Sequence, residues 1–178
     1  MTPPLPLRLR SATPTDAAAL AQVHVTSWRE TYAGLLPDDF LARMTDDHMR
    51  ERREANWQNT ISEGREIVLV GEREGKVVAF ASAGPPRDHP GADAELYTLY
   101  ALREAQGLGL GRALLSEVAE QLTAQGHRSL ALWVLDVNPT RQWYVRQGGR
   151  EDGAKTVPIP GGELREVRLV WDDLRQLA

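Results

Sequence analysis

Gln106-Gly107-Leu108-Gly109-Leu110-Gly111-Arg112-Ala113-Leu114-Leu115 lies between a strand-like segment and an amphipathic helix, and that placement decides how the chain is read. Three glycines at alternate positions remove Cβ atoms where backbone N–H groups must turn toward a ligand. The helix start that follows adds unpaired donors and the positive end of its dipole, so the segment suits a phosphate. Two phosphate-binding designs are excluded by the spelling. A dinucleotide fingerprint G-x-G-x-x-G would need glycine at Arg112 or Leu114, depending on the frame. The phosphate loop of NTPases ends Gly-Lys-Ser/Thr, whereas this one ends Gly111-Arg112-Ala113 and offers no hydroxyl to magnesium.

Around this run the chain alternates strand and helix patterns. Leu7 to Arg10 reads as a first strand, and Thr13-Pro14-Thr15-Asp16 as a capping-box start with proline at the first helical position. Leu20, His24, Trp28 and Tyr32 recur at four-residue steps and form one stripe on the ensuing helix, which Gly34 and Pro37 end. Asp38 to Asn59 is polar and helical, as one or two helices. Glu66 to Gly71 and Lys76 to Ala83 flank Glu72-Arg73-Glu74-Gly75 as a hairpin, and a proline-rich loop from Gly84 to Gly91 leads to a central strand. Beyond the glycine run, a helix over Arg112 to Gln125 stops at Gly126, and Ser129 to Leu135 reads as a buried strand. Asn138-Pro139 starts another helix, Gly148-Gly149 ends it, and Arg150 to Trp171 closes the chain as an antiparallel hairpin broken at Pro158 to Gly162.

Gln106, Gly109 and Gly111 fill the pattern Gln/Arg-x-x-Gly-x-Gly/Ala, and through it the run resembles the coenzyme A loop of the GNAT N-acetyltransferase superfamily. Glu95-Leu96-Tyr97-Thr98-Leu99-Tyr100-Ala101-Leu102 is similar to that superfamily's fourth strand. Asn138 to Gly149 resembles its second cofactor segment, where Tyr144 matches by its spacing to Gly148. Asn138 departs from the pattern, standing six residues before Tyr144 where seven is usual. Trp28 to Pro37 is similar to the first-helix segment of a bacterial branch that includes polyamine acetyltransferases, and Leu164 to Trp171 looks like the final strand. The resemblance therefore covers nearly the whole chain. It implies a single GNAT-like domain over residues 1–178, a mixed α/β fold whose central, mostly antiparallel sheet contains a splayed parallel strand pair and is flanked by helices.

The resemblance also implies acetyl-CoA as cofactor and acetyl transfer to a primary amine of a small molecule or peptide, by direct attack without a covalent enzyme intermediate. The absence of cysteine fits that route. Backbone groups of Leu99, Tyr100 and Ala101 would hold the acetyl and pantetheine end, and N–H groups of Gly107, Leu108, Gly109, Leu110, Gly111 and Arg112 the pyrophosphate, with Gln106 and Asn138 also on the cofactor. Tyr144 is the candidate general acid, because a phenol is roughly matched to an alkyl thiolate leaving group; core packing is its alternative reading. Asn138 before Pro139 also makes a good helix cap. Glu95, at the start of the central strand, is the candidate base, against a plain exposed strand-end carboxylate. Many relatives carry a glutamate five residues before the motif asparagine, where this chain has Trp133, which reads as core or as acceptor-pocket wall. Trp28 and Tyr32 read as acceptor-pocket lining or as core, Lys155 and Arg103 as solvated charges, and His24 as a packing residue. The rival function is a non-catalytic acyl-CoA-binding sensor or assembly module.

Composition bounds these readings. The 178 residues suffice for one substantial core, and 26% charged with 42% hydrophobic residues is ordinary for a globular protein. A net charge of −4 opposes general nucleic-acid binding, and the longest apolar run, Leu130 to Leu135, is too short to span a bilayer. Met1 to Arg10 has no apolar signal core, so the expected location is cytoplasmic. His24, His48, His89 and His127 show no metal-ligand spacing, and no metal is assigned. Monomer and homodimer are both compatible with the sequence.

Overall fold

The computed structural model describes residues 6–177; the first five residues of the N-terminal stretch lie outside it. Seven strands form one sheet in the order β1-β2-β3-β4-β5-β7-β6. They are β1 (Leu7–Ser11), β2 (Ile67–Arg73), β3 (Lys76–Gly84), β4 (Ala94–Ala101), β5 (Leu130–Leu135), β6 (Arg150–Ile159) and β7 (Gly162–Trp171). Five helices cover it: α1 (Ala17–Tyr32), α2 (Asp38–Thr45), α3 (Asp47–Glu63), α4 (Leu110–Ala124) and α5 (Thr140–Arg146). No helix among the described residues is long and apolar enough to cross a membrane.

β2 and β3 read as nearly unbroken apolar runs because both of their faces are covered. Leu69, Ala79 and Ala81 pack with Leu110, Leu114, Leu115 and Val118 of α4. Val68, Val70 and Phe80 meet Leu20 and Ala21 of α1 and Trp57 of α3 on the opposite face. The sequence boundaries shift where local geometry overrides pattern. The β2–β3 turn is only Glu74-Gly75, both at positive φ (55° and 76°), so the strands run through Glu72 and Arg73 instead of stopping before them. α3 continues past Asn59 because Ile61 also packs inward, and it ends at Gly64. α4 begins at Leu110 rather than Arg112, since Leu110 is needed in the core, and this puts Gly111 inside the helix.

Every neighbouring strand pair is antiparallel except β4 with β5. That pair is joined only at Ala94 with Leu130 and Glu95 with Ala131. Farther along, β4 follows β3 through Ala101 while β5 follows β7 through Leu135, so the two strands part within one continuous sheet. A bulge assists the parting. Ala83 pairs with Leu96 and Ser82 with Thr98, which leaves Tyr97 as the extra residue on β4.

His24 of α1 is buried against Trp57, Phe80 and Tyr100, with ring centroids 6.3, 5.7 and 4.8 Å away, and its Nε2 lies 3.0 Å from Arg53 Nη1. It is the packing residue the sequence suggests, now with an identified partner. Desolvation, with the Arg53 charge second, lowers its pKa from 6.5 to about 3. The folded state thus resists a proton that the unfolded chain accepts. As pH falls below about 6.5, this group should cost about 1.4 kcal/mol of stability per pH unit, roughly 2 kcal/mol by pH 5. Urea unfolding at pH 7.5 and pH 5 checks this, and H24L should lack that part of the acid destabilisation.

Candidate active site

The parting of β4 and β5 creates the site. A strand presents alternate backbone N–H and C=O groups to each edge, so the inner edges of Leu96–Ala101 and Leu132–Leu135 offer main-chain donors and acceptors that the sheet does not pair. Between them opens a cleft of about 340 Å³, walled by Glu95 to Ala101 of β4, Leu132 to Leu135 of β5, Trp28 and Tyr32 of α1, and Asn138 and Tyr144. A second cleft of about 550 Å³ continues from it under the glycine run and is lined by Gly107, Gly109 to Arg112, Trp143 and Gln147. The two share Leu99, Tyr100, Ala101, Gln106 and Thr140, so a long ligand can lie across both.

At the glycine run, Gly107 and Gly109 adopt φ of 77° and 82°, a region that side chains with a Cβ occupy at a cost. These turns aim the chain into α4, whose first intrahelical bond runs from Ala113 N to Gly109 O. The N–H groups of Leu110, Gly111 and Arg112 precede that bond and are free for a pyrophosphate. Gln106 donates from Nε2 to Ala101 O at 3.2 Å and so ties the loop to the end of β4. Leu108 points away, 43% exposed, and only its backbone belongs with the loop. The donor set fits the phosphate end of coenzyme A.

Glu95 is the last β4 residue paired with β5, at the apex of the parting, and is buried rather than an exposed strand end. Its Oε1 accepts from Arg87 N at 2.8 Å, and its Oε2 lies 3.6 Å from His89 Nε2. His89 Nδ1 accepts from Arg168 Nε at 3.1 Å, so the imidazole proton belongs on Nε2, facing the carboxylate. Burial, followed by the opposing pull of Glu95 and the push of the Arg168 charge, leaves the His89 pKa below its ordinary value, and the ring is neutral at pH 7. This arrangement was not visible in the sequence, because Arg168 lies 79 residues from His89.

Tyr144 is packed in the core and also reaches the cleft. Its ring packs in the main core beside Trp171, while the residue lines the cleft and its hydroxyl has no hydrogen-bond partner among the described residues. Burial drives its pKa well above the usual phenol value, so it enters any reaction protonated, as a donor. Asn138 is fully engaged by protein: Oδ1 accepts from Thr140 N at 2.9 Å and Nδ2 donates to Tyr32 Oη at 3.0 Å. It thus ties the residues just before α5 to the start of that helix and to α1. On the same helix, Trp28 donates from Nε1 to Tyr100 Oη at 3.1 Å. Trp28 and Tyr32 therefore both border the cleft, and Tyr32 also packs with Leu36, Leu41 and Leu135.

The structure decides between the two readings of Trp133 and corrects the solvated readings of Lys155 and Arg103. Trp133 is a cleft wall rather than core, stacked on His89 at 5.3 Å with Lys155 Nζ 4.1 Å from the centre of its ring. Lys155 is accordingly no freely solvated charge; it lies between that ring and Glu166, 3.7 Å away, on the paired positions of β6 and β7. Arg103, whose Nη2 donates to Glu30 O at 2.6 Å, is also anchored.

Comparison with known proteins shows the family and the fold. The model of the Acetyltransferase (GNAT) family matches residues 26–148. The chain is 35% identical to the uncharacterized N-acetyltransferase YuaI of Bacillus subtilis (strain 168) over 170 residues, 95% of each protein. Its fold matches a ribosomal-protein-alanine N-acetyltransferase from Brucella melitensis with a TM-score of 0.71 and 28% identity, covering 93% of this chain and 99% of that one. It also matches PaiA N-acetyltransferase from Thermoplasma acidophilum in complex with coenzyme A, with a TM-score of 0.70 and 20% identity, covering 92% and 98%.

Placing a Cβ at Gly109 strains the backbone without meeting any atom within 4 Å, so G109A should fold yet turn its amides out of register. Calorimetric titration with acetyl-CoA should show at least about a tenfold loss of affinity, on the order of 1.4 kcal/mol. Unchanged affinity would detach the loop from phosphate binding.

Proposed function

The chain belongs to the GNAT acetyltransferase family, whose acetyl donor is acetyl-CoA, and from that premise we propose that it transfers the acetyl group directly to a primary amine. The observation that carries this reading is the single cleft bordered at once by the buried carboxylate of Glu95, the partnerless hydroxyl of Tyr144 and the freed edge of β4. It opens at Leu99 to Ala101 into the glycine-loop cleft, which suits a cofactor whose phosphates and thioester lie far apart.

In this reading the pyrophosphate lies on the α4 start and the thioester lies along Leu99 to Ala101, where main-chain N–H groups polarise its carbonyl. The acceptor arrives as an ammonium ion from the α1 side. Glu95 takes a proton from it, directly or through water, and the neutral nitrogen attacks the carbonyl carbon. A C–N bond forms and the C–S bond breaks as Tyr144 gives its proton to the leaving sulfur. The second proton leaves the nitrogen as the neutral amide forms and passes through water to the Tyr144 phenolate, and Glu95 gives its proton to solvent. His89 and Arg168 hold the Glu95 carboxylate toward the cleft, as a positioning pair outside the reacting atoms.

The test is release of free coenzyme A from acetyl-CoA against polyamines, amino acids, antibiotics and short peptides. Acceptor-dependent release is expected. Y144F and E95Q should each lower kcat by about 100-fold or more while leaving acetyl-CoA affinity within about twofold. Tight acetyl-CoA binding without release across the panel would replace the transferase with a cofactor-binding module, and full turnover by Y144F would remove it as the acid.

A further inference from the structure

Beyond the acetyl-transfer cleft, on the face covered by α1 and α3, lies a smaller cleft of about 210 Å³. The two clefts meet along β4, where both are lined by Tyr97 and Thr98. At its wall Arg53 of α3 extends beneath α1 with its guanidinium carbon 5.8 Å from the Trp28 ring centre. Its Nε is wholly buried and bonds to nothing, and Nη1 reaches only His24. Among the described residues it has no ion pair with a carboxylate, unlike Arg10, which is held by both Asp16 and Glu72.

A cation withdrawn from water without a counter-ion is costly, and the neighbours do not offset the cost. His24 is neutral, and Trp28 supplies only a ring face. The other charges on this cleft are spoken for or weakened. Arg87 lies 3.7 Å over the Tyr97 ring and 3.6 Å from Glu95. Glu66 is pushed by burial toward its neutral form. With Nε out of reach, Arg53 keeps the Nη side of its guanidinium for an anion brought in from outside, where it can offer two hydrogen bonds to a carboxylate.

Building on the transferase reading, we propose that Arg53 is the anion-recognition residue of the acceptor site and that the acceptor is a small aminocarboxylate. The transfer point on Leu99 to Ala101 lies one to three strand residues, roughly 3–10 Å, from Thr98, which lines both clefts, so a small acceptor can span the two. The amine end faces Glu95 and the acid end faces Arg53, beside a Glu66 whose carboxyl burial raises in pKa, so the two ends suit the opposite charges of a zwitterion.

The experiment compares free L-amino acids with their carboxamides as acceptors, by coenzyme A release, in the native protein, R53M and R53K. The native protein should prefer the acids by about tenfold or more in kcat/KM, R53M should lose that preference, and R53K should keep part of it. Thermal melting confirms that each variant is folded. Equal use of acids and amides, or a preference that survives in folded R53M, overturns the proposal. Should no amine be acetylated, calorimetry with the same acids on the acetyl-CoA-loaded protein separates the two claims. Binding of an acid that R53M abolishes supports the anion site while removing the transferase, and absence of binding overturns both.

Discussion

The organisation of this protein depends on how little β4 and β5 touch. Two residue pairs at one end hold the parallel strands together, and beyond them each strand is secured from its outer side by an antiparallel neighbour. A sheet normally spends its inner edges on pairing. Here those groups are released in the middle of the sheet and line the cleft. The bulge at Tyr97 and the loop preceding β4 are consequences of the same geometry, because a strand leaving its neighbour must gain twist and its approach must clear the opening.

At the apex, the chain concentrates ionisable groups and then constrains each of them. Glu95 is fixed by the Arg87 amide, and His89 is fixed by Arg168 on one side and Trp133 on the other. Arg168 in turn contacts Asp152 at 2.8 Å, so the array runs from the buried carboxylate out to the surface hairpin of β6 and β7. Such an array holds the Glu95 carboxylate in one orientation at the edge of the cleft.

How far the site could be read in advance follows from the range of each interaction. The glycine run and the order of elements were legible because backbone turns and helix starts are set by residues next to one another. Tyr144 was singled out by its spacing to Gly148 and Glu95 by its place at the start of the central strand, although neither signal could say that Tyr144 would be both core and cleft. Trp133 was opaque for a physical reason. It stands in an apolar run, Leu130 to Leu135, and alternation alone does not tell which face meets the core and which meets an opening. His89, Lys155 and Arg53 take their meaning from partners 79, 11 and 29 residues away, and local periodicity carries no information on such contacts.

α1 is bonded to both sides of the opening. Trp28 is tied to Tyr100 on β4, and Tyr32, one turn later, to Asn138 just past β5. Two anchors four residues apart on a helix are separated by about 6 Å along its axis, a distance fixed by the pitch of the backbone and not adjustable by side-chain rotation. The helix therefore acts as a caliper across the sheet. The spacing of the two sides of the opening is thereby tied to the rise of a rigid element.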